Sequence, residues 1–553
     1  MLRLNPGWLD YTLLALYFVV VLGIGVVARR AVGTSADFLL AGRSLPAWVT
    51  GLAFVAANLG ATEIIGMAAN GAQYGVATVH YYWIGAIPAM VFLGIVMMPF
   101  YYRSKVRSVP EFLRLRFGNY THVLNAVVFA VASVLIAGVN LYALAIVLNA
   151  LLGWPQFLGI VVSAAVVLVY IGFGGLGSAI YGEVLQFFVI LAGLIPLAVV
   201  AVRSVGGFGE LTRRVEASTL GEGGLHAWQG TGVGDVTNPI GANWIGIVLG
   251  LGFILSFGYW TTNFAEIQRA LSAKDRSASQ RTPLIAAFPK LFIPAVTIIP
   301  GLVALIAIPN FGNSDSGGLE YNDAIPALIG QLLPEGVLGI AITGLFASFM
   351  AGVAANVSSL NTVVTYDLIQ PYLATGRSDR YYLNAGRLVT VGGVVIAIFT
   401  ALLASSFNNI MTYLQSLFGI FNAPIFATFI LGMFWKRTTG WGGFAGLASG
   451  VVAGTLIFVG AQSGLLTFGS DIEVTFYQAG AAFFVDLIVT VIVSLATARP
   501  EPEQLAGIVY GVPGADGVVP TLRQPKEKVW YRKPVLLGSV ALVLTVVLNI
   551  LFA

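Results

Sequence analysis

The chain has 553 residues, of which 58% are hydrophobic and only 9% charged. A soluble globular domain carries about 25% charged residues, so this chain lacks the polar surface to face water and must face lipid. Its net charge of +4 sits in loops, as cytoplasmic loops of membrane proteins do, which argues against a nucleic-acid partner, and the lack of cysteine excludes disulfides, thiolate metal sites and cysteine nucleophiles.

Apolar runs long enough to cross a bilayer recur along the whole sequence. Fourteen helices are predicted: 9–28, 46–73, 80–101, 121–150, 155–173, 179–203, 242–268, 282–309, 325–369, 383–404, 408–433, 441–462, 474–497 and 534–552. The first follows only a short Met1–Asp10 segment with no small-residue cleavage site, so it reads as a retained helix and not a signal peptide. Residues 325–369 are too many for one crossing and predict a short surface helix before a span starting near Leu338. The Gly-rich loop 204–241 and the Pro-rich, charged loop 498–533 lack the apolar content of an enzymatic domain and read as connectors.

Charge sets the orientation. With the N-terminus outside, 22 of the 28 Lys and Arg fall in inside segments, among them Arg29, Arg30, Arg43, Lys105, Arg269, Lys274, Arg377, Arg380, Arg523, Lys526 and Lys528. Only Arg3, Arg203, Arg213 and Arg214 fall outside, and an even helix count places both termini there. The expectation is an all-α polytopic integral membrane protein, in a bacterial plasma membrane.

Ionisable groups at membrane depth are costly and so are functional candidates. They are Glu63, Lys290 and Asp486 within spans, with Glu183, Arg269 and Asp367 near inner helix ends, and Arg387 placed to snorkel. The second span reads Asn58-Leu59-Gly60-Ala61-Thr62-Glu63 and the seventh Ser256-Phe257-Gly258-Tyr259-Trp260-Thr261-Thr262-Asn263. Glycine and short polar residues at mid-membrane suit unwound backbone that lines a cavity. Two such spans five helices apart predict two inverted five-helix repeats with broken first helices, at 46–203 and 242–433, followed by peripheral helices from 434.

Other signals carry less. The run Gly172-Phe173-Gly174-Gly175-Leu176-Gly177 has no preceding strand and reads as a tight helix junction rather than a dinucleotide loop. His80, His122 and His226 lack metal-ligand spacing, and His80 is expected at the interface. Asp486, outside both repeats, reads as a structural hydrogen-bond acceptor. No phosphate-binding loop points to ATP-driven pumping.

The stretches SADFLLAGRSLP, AANLGATEIIGMA, GGLGSAIYGEVLQFFVIL, GYWTTNFAEIQRAL and FNAPIFATFILGMFWKRTTGWGGFAGLASG, in this order over residues 10 to about 460, resemble the sodium/solute symporter family near its sodium–glucose cotransporter branch. The resemblance implies that Ala56 and Leu59 offer backbone carbonyls to sodium. It places Glu63, Tyr82, Gly85 and Ser256 at substrate-contact positions where the residue type has changed, and Lys290 and Gln415 where it is kept. Tyr259 matches an inner aromatic gate, Trp260 the ring beside it, and Glu183 an acidic residue at the inner ion exit. The family's sodium shell also takes two adjacent hydroxyls. Alignment on the end of ASFMAGVAANVSSLNTVVTYDL puts Ala351 and Gly352 there, with Ser348 supplying a carbonyl. Ser358 and Ser359 lie two turns further on, and the site is expected to be weak or water-filled; if sodium does couple, water or another side chain such as Asn356 completes the shell.

The sequence therefore predicts a secondary transporter, not an enzyme, moving a small polar solute by alternating access. That solute is sugar-like, or an organic acid whose carboxylate meets Lys290. No cofactor is expected. The coupling ion is sodium by family, or a proton carried by Glu63, or none, and Glu63 reads equally as a fixed partner of Lys290. A transporter-like sensor is the alternative from another class.

Overall fold

The computed structural model describes residues 5–29, 34, 41–104, 106–313, 318–407, 409–513, 527 and 529–553. Arg3, Arg30, Lys105, Arg523, Lys526 and Lys528 lie outside these, as does all of SADFLL. Among the described residues the chain is helical apart from loops and one short hairpin, Thr231–Gly232 with Asp235–Val236. Among the described residues eleven helices are long and apolar enough to span a bilayer, and two bent pairs raise this to thirteen.

The bent pairs are Ala47–Asn58 with Thr62–Tyr74, at 61°, and Gly246–Thr262 with Phe264–Leu271, at 51°. These are the two spans whose glycine and short polar residues predicted breaks. In the first, Leu59 leaves helical geometry (ψ 45°); in the second, Asn263 does (ψ 110°), and its side chain accepts the Ala265 N–H at 3.0 Å. Short side chains at the break let other backbone approach closely.

The backbone is helical throughout Gln156–Ser204, where two spans were expected. At 1.5 Å per residue such a helix would be about twice the bilayer if straight. It reverses instead. Trp154 and Ser163 share a cleft with Tyr11, Leu176 and Ile180 cluster with Leu45 and Val49, and Gly193 packs on Ala341 near Asp10. The reversal thus falls at the glycine-rich 172–177, and the junction is helical rather than a loop.

The centre of the bundle is Val337–Leu373, whose residues from Leu338 to Val363 are nearly all buried. Helices at the periphery keep a lipid face: on Asp379–Ala404, Leu388, Val391, Val395, Phe399 and Leu402 are exposed at helical spacing. Two expectations need correction. The short helix before the central span, Ala324–Leu332, is not superficial, since Ala324 to Ile329 are buried. His80 is not interfacial; it is fully buried, bonded to the Ala227 carbonyl at 2.7 Å, with its ring 4.2 Å from Trp228. The two connectors also pack. Ala227 N–H donates to the Phe552 carbonyl at 2.8 Å, and Tyr510 stacks on Phe434 and donates to the Val96 carbonyl.

Two contacts fix the helix ends around the breaks. Asp10 accepts the N–H groups of Gly336 and Gly339 at 2.7 and 2.6 Å, tying the first helix, Trp8–Arg29, to the central span. Leu45 bridges to the end of the second broken helix: its N–H donates to Ser272 and its carbonyl accepts from Lys274, at 3.2 and 2.9 Å.

Candidate functional site

The two breaks face one cavity, closed down to about 60 Å³, which is room for a few waters. Its wall includes Asn58, Glu63, Tyr82, Asn140, Ser256, Tyr259, Trp260, Glu266, Gly352, Asn356, Gln415 and Phe418. Three of the contributing segments, Thr62–Gly66, Tyr81–Ala86 and Gly246–Ser256, are wound as wide π-turns, a geometry frequent at functional sites.

Six of the predicted substrate contacts therefore meet at one place: Glu63, Tyr82, Ser256, Tyr259, Trp260 and Gln415. Their orientations differ. The Tyr259 ring lies 4.4 Å from Phe418, and Trp260 stacks on Phe54 at 5.7 Å. The Ser256 hydroxyl is turned back onto the Leu251 carbonyl at 2.8 Å, and Gln415 Nε2 lies 3.8 Å from Met411 Sδ.

Lys290 stands behind this wall, fully buried. Its Nζ pairs with Glu63 Oε1 at 2.8 Å, donates to Asn58 Oδ1, and lies 5.3 and 5.2 Å from the Tyr82 and Trp260 ring centres. From there polar contacts continue inward. Asn58 Nδ2 donates to Tyr259 Oη at 2.9 Å, and Tyr259 Oη donates to Glu266 Oε1 at 2.9 Å. One turn on, Arg269 forms a fully buried pair with Glu183, so the predicted ion-exit residue lies apart from the cavity, toward the inner helix ends.

The expected sodium position is built differently from a weak or water-filled site. The Leu59 carbonyl accepts the Ser348 hydroxyl, so the serine acts through its side chain. Asn140 Oδ1 accepts the Ala61 N–H at 2.9 Å. This amide fills the space between Gly60 and Gly352: a Cβ at Gly60 would stand 2.6 Å from Asn140 Oδ1, and one at Gly352 closer still. Asn356 donates to the Gly352 carbonyl at 2.9 Å, while the Ser358 and Ser359 hydroxyls donate to Ala355 and Asn356. A hard cation needs a shell of oxygens. Here Ala351 and Gly352 bring no hydroxyl, the Leu59 carbonyl accepts from Ser348, and the Asn140 amide occupies the gap, so these positions do not form the expected shell of oxygens. Among the described residues no cluster of three or more His, Asp or Glu could hold a metal.

Away from the cavity, Asp486 accepts from Thr428 and Thr490 at 2.7 and 2.8 Å, the structural role expected of it. Asp367 bonds His122 at 2.8 Å. Sequence reasoning missed Asn140 and Glu266 as site residues. The available signals were a lone amide midway along the apolar 119–152 and a carboxylate one turn before Arg269.

Comparison with known proteins gives a consistent result. A sequence model of the sodium:solute symporter family matches residues 38–450. A sodium/glucose cotransporter of Vibrio parahaemolyticus is 29% identical over 473 residues, 80% of this chain and 84% of that one. Sodium/glucose cotransporter 1 of Ovis aries is 30% identical, covering 80% and 71%. The human sodium/myo-inositol cotransporter 2 is 29% identical, covering 82% and 70%. In fold, the chain resembles a Na+-coupled sialic acid symporter in a substrate-bound outward-open state, with a TM-score of 0.74, 18% identity and coverage of 90% and 99%. It also resembles a nucleobase-cation-symport-1 family transporter, with a TM-score of 0.52, 15% identity and coverage of 85% and 97%. The architecture is thus two inverted five-helix repeats with broken first helices, plus peripheral helices.

Proposed function

The chain belongs to the sodium:solute symporter family, an integral-membrane secondary transporter of that type, and from that premise we propose that its solute is a neutral polyhydroxylated molecule of hexose or inositol size. The observation that carries this reading is the Lys290–Glu63 pair. Among the described residues, the cation behind the cavity wall, Lys290, is already neutralised by a carboxylate and bonded to Asn58, which leaves no net positive charge there for a solute carboxylate. The remaining wall offers aromatic faces at Tyr259, Trp260 and Phe418 and neutral polar groups at Gln415 and Asn356, a combination that suits hydroxyls on a ring. The glucose and inositol transporters among its relatives point the same way.

Further parts of the reading follow. The repeats run from 46 to 203 and from 242 to 433. Tyr259 closes the cavity on its inner side. Both termini face outside: the basic loops lie opposite, and Ala553 packs on His226 of the loop 204–241, which holds Arg213 and Arg214 of the outer side. Coupling through Ala56, Leu59, Ser348, Ala351 and Gly352 is not part of this reading, because Leu59 and Ser348 are bonded to each other and Ala351 and Gly352 bring no hydroxyl.

The test is exchange of labelled solute in proteoliposomes, comparing neutral hexoses and inositols with small organic acids. Exchange of a neutral solute that an excess of organic acid leaves undisturbed is expected. Saturable exchange of an organic acid alone would overturn the reading.

A further inference from the structure

The buried charges around the cavity do not balance. Lys290 pairs with Glu63 and Arg269 pairs with Glu183, and each pair is neutral. Glu266 is left over: three carboxylates stand against two cations. It is 2% exposed, lines the cavity floor beside Ala265, and accepts the Tyr259 hydroxyl through Oε1 only. Its Oε2 is buried without a hydrogen-bond partner. An ionised carboxylate in such a place carries a large desolvation cost unless it is paired. One bound proton removes the surplus charge and gives Oε2 a hydrogen to donate into the cavity.

We propose that Glu266 is the proton-binding residue of this transporter, loaded from the cavity and unloaded at the inner helix ends, in place of a cation at the position where Ala351 and Gly352 bring no hydroxyl. This rests on the secondary-transport reading above. The step is an acid–base one: a proton from outside water adds to the Glu266 carboxylate, and the same proton leaves to inside water, with no other bond made or broken. The Tyr259 hydroxyl links Glu266 to Asn58, and Asn58 to Lys290, so a change of charge at Glu266 is felt at the cavity wall within two hydrogen bonds. Arg269 and Glu183, next on the inner side, form the release end.

The groups that face Glu266 set its affinity for the proton. Lys290 comes from Arg276–Ala307, Glu183 from Gln156–Ser204, and Tyr259 and Arg269 from its own broken helix. The end of Val76–Arg103 adds Tyr101, which donates to the Thr261 carbonyl, with Tyr102 and Arg103 beyond it. Ala47–Asn58 and Val337–Val363 contribute no ionisable side chain.

Two measurements test this. The first needs no solute: an infrared pH titration of the purified protein in lipid vesicles. A protonated-carboxyl band lost in E266Q, and kept in E63Q and in D486N, is expected; a spectrum that E266Q leaves unchanged overturns the proposal. The second uses labelled D-glucose and myo-inositol in proteoliposomes under an acid-outside gradient, and then under a sodium gradient at equal pH. The parent should accumulate solute toward about tenfold per pH unit for one proton and ignore sodium. E266Q, whatever its absolute rate, should take up the same amount with and without the pH gradient, and E266D should recover the dependence. Accumulation driven by sodium alone, or a pH dependence that survives E266Q, overturns the proposal. Failure of every neutral probe to exchange would remove the solute reading instead, and the infrared result alone would then decide for Glu266.

Discussion

Lys290→Met separates the two roles that a buried lysine at this cavity could have. In the parent, Lys290 and Glu63 are 2.8 Å apart, with Lys290 fully buried and Glu63 nearly so. Glu63 Oε2 has no other partner, so removing the lysine leaves an uncompensated carboxylate. Breaking one side of a buried pair costs about 3–5 kcal/mol. At about 1.4 kcal/mol per decade this is roughly a hundred- to several-thousand-fold in the ratio of folded to unfolded protein. Lys290→Met should therefore melt earlier in detergent, with exchange falling as well. The double variant Glu63→Gln, Lys290→Met removes both charges and keeps the volume, and should return to within about tenfold of the parent. The assay is the full double-mutant cycle, read by exchange kinetics and by thermal stability in parallel. If the double variant regains stability but stays as inactive as Lys290→Met, Lys290 touches the solute and the argument for a neutral solute fails.

Gly352→Ser alone should destabilise the protein, because the new side chain collides with Asn140, whereas Asn140→Ala with Ala351→Ser and Gly352→Ser should acquire sodium-dependent thermal stabilisation, measured by melting against sodium with potassium as control. Asp10→Ala strands the Gly336 and Gly339 N–H groups and should cost about 2 kcal/mol of stability, with Asp10→Asn recovering part of it in the same melting assay. Burial pushes the Asp323 carboxyl up to about 6, so between about pH 4 and 6 the folded state holds the proton more tightly and stability falls as pH rises. Asp323→Asn should flatten that slope in melting curves taken across the window. Tyr259→Ala opens the inner side of the cavity and should speed solute release in efflux measurements; unchanged efflux would make the ring ordinary packing.

The helical spans were legible in the sequence because a bilayer imposes a length of apolar chain that nothing else in a protein requires. The two breaks were legible for a related reason: glycine beside threonine, asparagine and serine at mid-membrane has little other use. The Glu63–Lys290 pair could be read from rarity alone, since few charges lie at that depth. Asn140 could not. Its helix reads like any other apolar span, and the N–H it accepts belongs to Ala61, 79 positions away. Glu266 was hidden by its position near the inner end of a span, where a carboxylate followed by an arginine looks like a solvated helix terminus. Only packing against Ala47–Asn58 and Val337–Val363 takes it out of water. The same limit misplaced Ala324–Leu332, since a short apolar helix between loops has no sequence mark that separates a surface position from a buried one.

The bridge from Leu45 to Ser272 and Lys274 has a mechanical consequence. Leu45 leads directly into the inner half of the first broken helix, and Ser272 ends the inner half of the second. Joined there, the two half-helices are tied to each other at their inner ends, and movement of either one alone would break these two backbone hydrogen bonds. The buried Arg269–Glu183 pair ties the second of them to Gln156–Ser204 as well. Opening to the inside therefore couples the two breaks rather than leaving each to move by itself.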